Sequence, residues 1–149
     1  MDQVKIRNAS SDDGAALAEL STQLGYPSSS QQTSDRLEAI LRSSDHLVKV
    51  ACSSDGSVVG WVHVFLTLRV EADPFAELGG LVVARQLHRR GIGSALLEAA
   101  EGWVACQGVK KLRVRTRSIR RDARAFYKQL GFTKTKEQHV YDKPVGTSP

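Results

Sequence analysis

The chain has 149 residues and a mass of 16.3 kDa, the size of one compact domain with a sizeable core. Apolar residues make up 41% and charged residues 25%, which excludes a disordered chain, and no apolar run approaches the roughly 20 residues of a membrane span. The net charge of +5 is uneven: residues 1–75 carry 6 basic and 10 acidic groups, residues 76–149 carry 15 and 6, so the second half is suited to an anionic partner.

Val4 and Ile6 alternate with polar neighbours and predict a short first strand. Ser10, Ser11 and Asp12 offer N-cap oxygens to a helix whose inner stripe is Leu17, Leu20 and Leu24, and Gly25 and Pro27 stop it. The run Ser28–Ser34 reads as a loop, and a second helix is predicted over about Ser34–Arg42 with Leu37, Ile40 and Leu41 inward. Leu47–Cys52 is a strand, Ser54-Asp55-Gly56-Ser57 a tight turn, and Val58–Leu68 the returning arm. Leu78–Val83 is a further strand. Gly91–Gln107 is the strongest helix, with Ile92, Leu96, Ala100 and Trp103 on one stripe and Gly108 ending it. Leu112, Val114 and Thr116 alternate with Arg113, Arg115 and Arg117, as in a half-exposed strand. Asp122–Leu130 is a helix ending at Gly131, and a last strand is predicted over about Lys136–Tyr141.

The order β-α-α-β-β-β-α-β-α-β predicts an α/β fold with a mixed, mostly antiparallel sheet and helices on both faces. One domain over residues 1–143 and a short frayed tail over 144–149 are expected. Cys52 and Cys106 lack metal-ligand spacing, so neither a zinc site nor a disulfide framework is expected, and each reads as a small apolar core residue. The start Met1-Asp2-Gln3-Val4-Lys5 lacks a leader pattern, and a cytoplasmic location is expected.

The chemistry concentrates in two stretches. In the first, the strand ending Leu81-Val82-Val83 enters the loop His88-Arg89-Arg90-Gly91-Ile92-Gly93-Ser94, which opens the long helix. The first amides of a helix lack internal acceptors and carry partial positive charge, glycines admit a ligand close to that backbone, and the two arginines add full charges. This is an anion cradle. It lacks the Gly-Lys-Ser/Thr ending of a Walker loop and the three glycines of the dinucleotide fingerprint. The second stretch is Ala123 to Phe132, in which Tyr127 stands four residues before Gly131.

Together, in this order and spacing, the two stretches resemble the GCN5-related N-acetyltransferase (GNAT) family. His88 to Gly93 is similar to its Gln/Arg-x-x-Gly-x-Gly/Ala motif, and Ala123 to Phe132 to its Ala-x-x-Phe-Tyr-x-x-Leu-Gly-Phe segment. His88 replaces the usual first residue, and Arg89 replaces the common glycine at the second. The resemblance implies acetyl-CoA as cosubstrate, no metal, and splayed central strands. The pantetheine arm would run along Leu81, Val82 and Val83, and the pyrophosphate would sit on the amides of Arg89 to Ser94. Tyr127 would protonate the departing thiolate. Arg120 stands where an asparagine often contacts CoA.

Attack on a thioester needs a neutral amine, so a base is expected. Glu77 lies eleven residues before His88, the offset at which histone acetyltransferase members carry their glutamate base. On a regular strand Glu77, Gly79, Leu81 and Val83 would share one face. A strand amide near Leu81 would stabilise the developing oxyanion. His63 is a weaker candidate base that a structural role also explains.

The expected activity is direct transfer of an acetyl group to a primary amine of a small molecule or peptide. The resemblance places the acceptor at the first two helices, where Glu19, Asp35 and Glu38 would attract a polyamine, an aminoglycoside or a lysine side chain, and Tyr26 would line the pocket. A homodimer is compatible with this reading, and neither nucleic acid nor a membrane is an expected partner. Two other readings compete. An idle acetyl-CoA sensor would have no need of Tyr127 and Glu77. A nucleic-acid module would use the nine basic residues between Lys110 and Lys128, but interleaved aromatics for base stacking are missing.

Overall fold

The structure, a computed structural model, describes residues 3–116 and 121–146, and the side chains at all of these except 121 and 122. Residues divide into two units, Met1–Arg115 and Thr116–Pro149.

The first unit is built on one sheet. Its strands are β1 (Lys5–Asn8), β2 (His46–Cys52), β3 (Val58–Arg69), β4 (Ala72–Val83) and β5 (Leu112–Val114), in that spatial order. The first three pairings are antiparallel, and β4 with β5 is parallel. The Asp55-Gly56 turn sets the β2–β3 register: Gly56 supplies φ +88°, and Asp55 Oδ1 accepts from the amide of Ser57 at 2.9 Å.

The helices are α1 (Gly14–Gln23), α2 (Ser30–Leu41) and α3 (Ile92–Cys106). Asp13 begins α1. Its carboxylate is buried, takes both terminal nitrogens of Arg7 at 2.8 and 2.9 Å, and accepts from the amide of Ser10 at 2.8 Å. On one sheet face Val48, Val50 and Cys52 cluster with Leu17 of α1 and Leu37 of α2, and Trp61 packs against them. On the other, α3 comes close at Gly60, where a side-chain carbon would stand 3.1 Å from Leu96 and 3.0 Å from the Val82 carbonyl. Ile92, Leu96 and Ala100 are buried, as their spacing predicts.

Several expectations are corrected. Ser29 caps α2 by accepting from the amide of Gln32 at 3.0 Å, so the serine-rich stretch begins the helix instead of forming a loop. Leu41 ends that helix and is exposed. Strand β4 starts at Ala72, extended by its pairing with β3, and β5 stops at Val114. Cys52 is buried, but Cys106 is exposed at the end of α3.

In the second unit α4 spans Arg121–Gln129 and closes at Gly131 with φ +97°, where the amide of Phe132 donates to the Tyr127 carbonyl at 3.0 Å. The strand expected over Lys136–Tyr141 is not formed: these residues pair with no described strand, and Val140 and Tyr141 present no buried face. The readings placed on Arg117, Arg120 and the end of the tail at residues 147–149 lie outside the described residues.

Candidate active site

Strand β4 organises the first unit's polar chemistry. It pairs with β5 only through Ala76, Glu77 and Leu78. Beyond Leu78, no described strand lies on that side of it. The Ala84 amide donates to the Val59 carbonyl at 2.8 Å, so by antiparallel alternation Val82 and Gly80 turn their peptide groups toward β3. Those of Leu81 and Val83 therefore face the open side. The Val83 carbonyl accepts there from His88 Nε2 at 2.8 Å. Among the described residues no group bonds the Val83 amide or either peptide group of Leu81, so these face a ligand.

The strand leads into the predicted cradle. Leu87 donates to the Ala84 carbonyl at 2.9 Å, and the chain reverses through Arg89 (φ 67°) and Gly91 (φ 80°). Arg89 takes the left-handed conformation that favours glycine, at the position where the motif commonly has one. Left-handed Gly91 followed by the helical Ile92 turns successive amides toward one point, as in an anion nest. The Ala95 amide donates to the Gly91 carbonyl at 3.0 Å, leaving the amides of Ile92, Gly93 and Ser94 ahead of the first helical bond. The side chain of Ile92 is core, so it offers the ligand its amide alone. Arg85, Arg89 and Arg90 are exposed around this point. His88, which replaces the usual first motif residue, holds the loop to the end of β4 through its ring.

The expectation that Glu77 shares a face with Leu81 and Val83 is corrected. His63 pairs with Gly80 and Val64 with Leu78, so Gly79 is an extra residue, a bulge in β4. The alternation inverts there. Glu77 lies opposite Phe65, and Leu81 lies opposite Val62 on the other face. Two glycines are required, because a side-chain carbon at Gly79 would meet His63 Nδ1 at 2.7 Å, and one at Gly80 would meet the Trp61 ring at 2.5 Å. Glu77 is half-buried, and its Oε1 accepts from Arg115 Nε at 3.0 Å.

The face of Glu77 also carries a group that sequence reasoning missed in part. His63 on β3 and His46 on β2 bring Nε2 and Nδ1 to 2.9 Å. Their rings stack at 5.2 Å between centroids, and Phe65 covers His46 at the same distance. Burial, reinforced by the charge of His46, lowers the His63 pKa from 6.5 to about 4, so His63 is neutral near pH 7. The sequence offered His63 alone; His46 joins it through strand register.

At the α1–α2 end of the unit an open cleft is lined by Ala15, Glu19, Thr22, Ser28 and Ser30, among others. Glu19 is exposed in it. Asp35 accepts from Gln31 at 2.8 Å, and Glu38 pairs with Arg42 at 3.1 Å, each within its own helix. In the second unit Tyr127 is half-buried, edge-on to Phe132 with centroids 5.8 Å apart and beside Phe126. No helix among the described residues is long and apolar enough to cross a membrane.

Residues 15–132 match the acetyltransferase (GNAT) family. The chain belongs to the GNAT family of N-acetyltransferases. The acetyltransferase is 30% identical over 147 residues to an aminoglycoside N(6')-acetyltransferase type 1 of Stenotrophomonas maltophilia, covering 96% of this chain and 95% of that one. Its fold matches the crystal structure of aminoglycoside 6'-N-acetyltransferase AAC(6')-Ih from Acinetobacter baumannii, with a TM-score of 0.87 and 17% identity over 97% of this chain and 100% of that chain. It also matches AAC(6')-Iy in complex with the bisubstrate analogue CoA-S-monomethyl-acetylneamine, with a TM-score of 0.82 and 20% identity over 96% and 99%. At these identities the structural likenesses establish the α/β fold of the acetyltransferase.

Proposed function

We propose that this acetyltransferase moves an acetyl group from acetyl-CoA to the 6'-amine of an aminoglycoside, by direct attack while both substrates are bound. The observation that carries this reading is the stretch of β4 after Leu78, whose side away from β3 meets no described strand. It presents outward peptide groups at Leu81 and Val83, ends on the free amides of α3, and has Glu77 at the start of its bulge.

These residues fit acetyl-CoA. The amides of Ile92, Gly93 and Ser94, with Arg89 and Arg90, match a pyrophosphate. The outward groups of Leu81 and Val83 match the amides of a pantetheine arm running along an open strand edge. Acetyl-CoA, when bound, supplies an acyl group activated by its thiolate leaving group. The Leu81 N–H is the strand donor available to an oxyanion beside this edge. Tyr127 keeps the role that its motif implies, giving its hydroxyl proton to the departing sulfur. Glu77 neutralises the incoming ammonium and, in the simplest scheme, takes its proton. Direct attack is supported by the cysteines: Cys52 is buried on β2 and Cys106 ends α3, so neither lies on β4 or its loop.

The acceptor class rests on the Stenotrophomonas relative, which matches along nearly the whole chain. The excess of acid in residues 1–75, and Glu19 in the α1–α2 cleft, suit a polycationic acceptor. The test is CoA release from acetyl-CoA with aminoglycosides, polyamines and lysine peptides in parallel. Aminoglycosides are expected to give the highest kcat/KM. Equal or faster turnover of a polyamine or peptide would overturn the acceptor assignment.

A further inference from the structure

Two histidines in hydrogen-bond contact on the face of Glu77 are more than packing requires. His46 and His63 are both half-buried, and their nitrogens are 2.9 Å apart. Two imidazoles at this distance cannot both be charged, so one donates and the other accepts. His63 Nδ1 stands 2.7 Å from where a side-chain carbon of Gly79 would be, at the bulge where the edge of β4 opens. Glu77, two residues earlier on the same face, already binds Arg115.

We propose that the His46–His63 pair receives the proton of the attacking amine, while Glu77, held by Arg115, binds the ammonium. The inference rests on the reading that the acceptor amine reaches the face of Glu77, and it moves the proton's destination from the carboxylate to the imidazoles. The step balances. The amine N–H bond breaks and its proton bonds to His63 Nδ1, directly or through one water. The His63 Nε2 proton passes to His46 Nδ1. His46, transiently an imidazolium, releases its Nε2 proton to solvent. The amine keeps the electron pair that forms the new N–C bond. The thioester C–S bond breaks as the N–C bond forms, and the sulfur takes the Tyr127 proton. The second proton lost by the ammonium nitrogen restores the Tyr127 hydroxyl through water, so each turnover releases one net proton, and both rings return to their starting tautomers by rotation or exchange with water.

The charged and titratable groups packed about the pair are few. Among the described residues they are His46 itself with Asp45 just before it, Glu77 on β4, and Arg115 after β5, which binds Glu77. Burial acts most on His63, and repulsion from His46 when that ring carries the proton adds to it, so the relay starts with both rings neutral. A neutral His63 is available to accept a proton across the whole range from weakly acidic to alkaline pH. A pair that shares the arriving charge answers the weakness of a single buried imidazole as a base.

The test compares His63→Gln, His46→Gln and Glu77→Gln in steady state with a 6'-amino aminoglycoside between about pH 3.5 and 9, a range that brackets the His63 pKa of about 4. His63→Gln is expected to lower kcat at pH 7 by at least about tenfold, with amine KM changed little, and to alter the acid limb of the kcat profile. His46→Gln is expected to act in the same direction and more weakly. Glu77→Gln is expected to raise amine KM and keep the acid limb. A His63→Gln enzyme with the wild-type kcat and acid limb would overturn the proposal, as would loss of that limb in Glu77→Gln alone. Thermal melting checks that each variant folds. Should His63→Gln fail to fold, His46→Gln decides on the same criteria. If the wild type ignores every 6'-amine but turns over another amine, the acceptor reading fails separately, and the histidine variants are judged with that amine.

Discussion

The half-buried histidine pair makes the stability of this protein depend on pH in a defined window. His63 has a folded-state pKa of about 4 against an ordinary 6.5, first because it is buried and second because His46 adjoins it. The folded state therefore binds fewer protons than the unfolded state between these values, and stability rises with pH. The contribution is complete above pH 6.5 and is lost as pH falls toward 4. Linkage gives a loss of about 2 kcal/mol by pH 5 and about 3 kcal/mol by pH 4, trimmed by solvent at this half-buried site. Asp13 acts elsewhere: its bond to Arg7 lowers its pKa from 3.8, so its contribution disappears only in stronger acid. The assay is urea unfolding of the wild type and His63→Gln at pH 7.5, 6.5, 5.5 and 4.5. The difference between the two proteins cancels groups common to both. It is expected to shrink by about 2 kcal/mol or more across the series. A difference independent of pH would refute the reasoning.

Tyr127→Phe is expected to lower kcat roughly 100-fold while leaving CoA affinity nearly unchanged, as isothermal titration would report. Gly91→Ala places a side chain at φ 80° and is expected to cost about 1–2 kcal/mol in urea unfolding. Arg89→Gly relieves the same conformation at φ 67°, offset by the entropy of a freer unfolded chain, so stability is expected to stay within about 1 kcal/mol while CoA affinity falls with the lost charge. Asp13→Ala removes the partner of the Ser10 amide and of the solvent-exposed Arg7 and is expected to cost about 2 kcal/mol.

The strongest periodicities in the sequence carried through to the fold. Ile92, Leu96 and Ala100 form the buried stripe of α3, and the Asp-Gly turn sets the β2–β3 hairpin. The anion cradle was legible because glycine, arginine and a helix start act locally in sequence. The bulge was not. A single extra residue at Gly79 inverts a period of two, and its only sign was a pair of adjacent glycines whose need is set by Trp61 and His63 on the neighbouring strand. His46 escaped notice for the same reason: seventeen residues separate it from His63, and only register joins them. The Lys136–Tyr141 segment has strand-forming residues but no described strand to pair with, which pattern alone does not report. Cys106 shows the limit of residue-type averages, since its place at the end of α3 exposes it.

The most direct measurement of the central claim is the site of acetylation. The enzyme is incubated with acetyl-CoA and two aminoglycosides that differ at one position, an amine or a hydroxyl at 6'. The account predicts stoichiometric CoA release and a single acetyl group on the 6'-nitrogen of the first, located by NMR, with no transfer to the second. Equal acetylation of both, or an acetyl group at another nitrogen of the first, would contradict it.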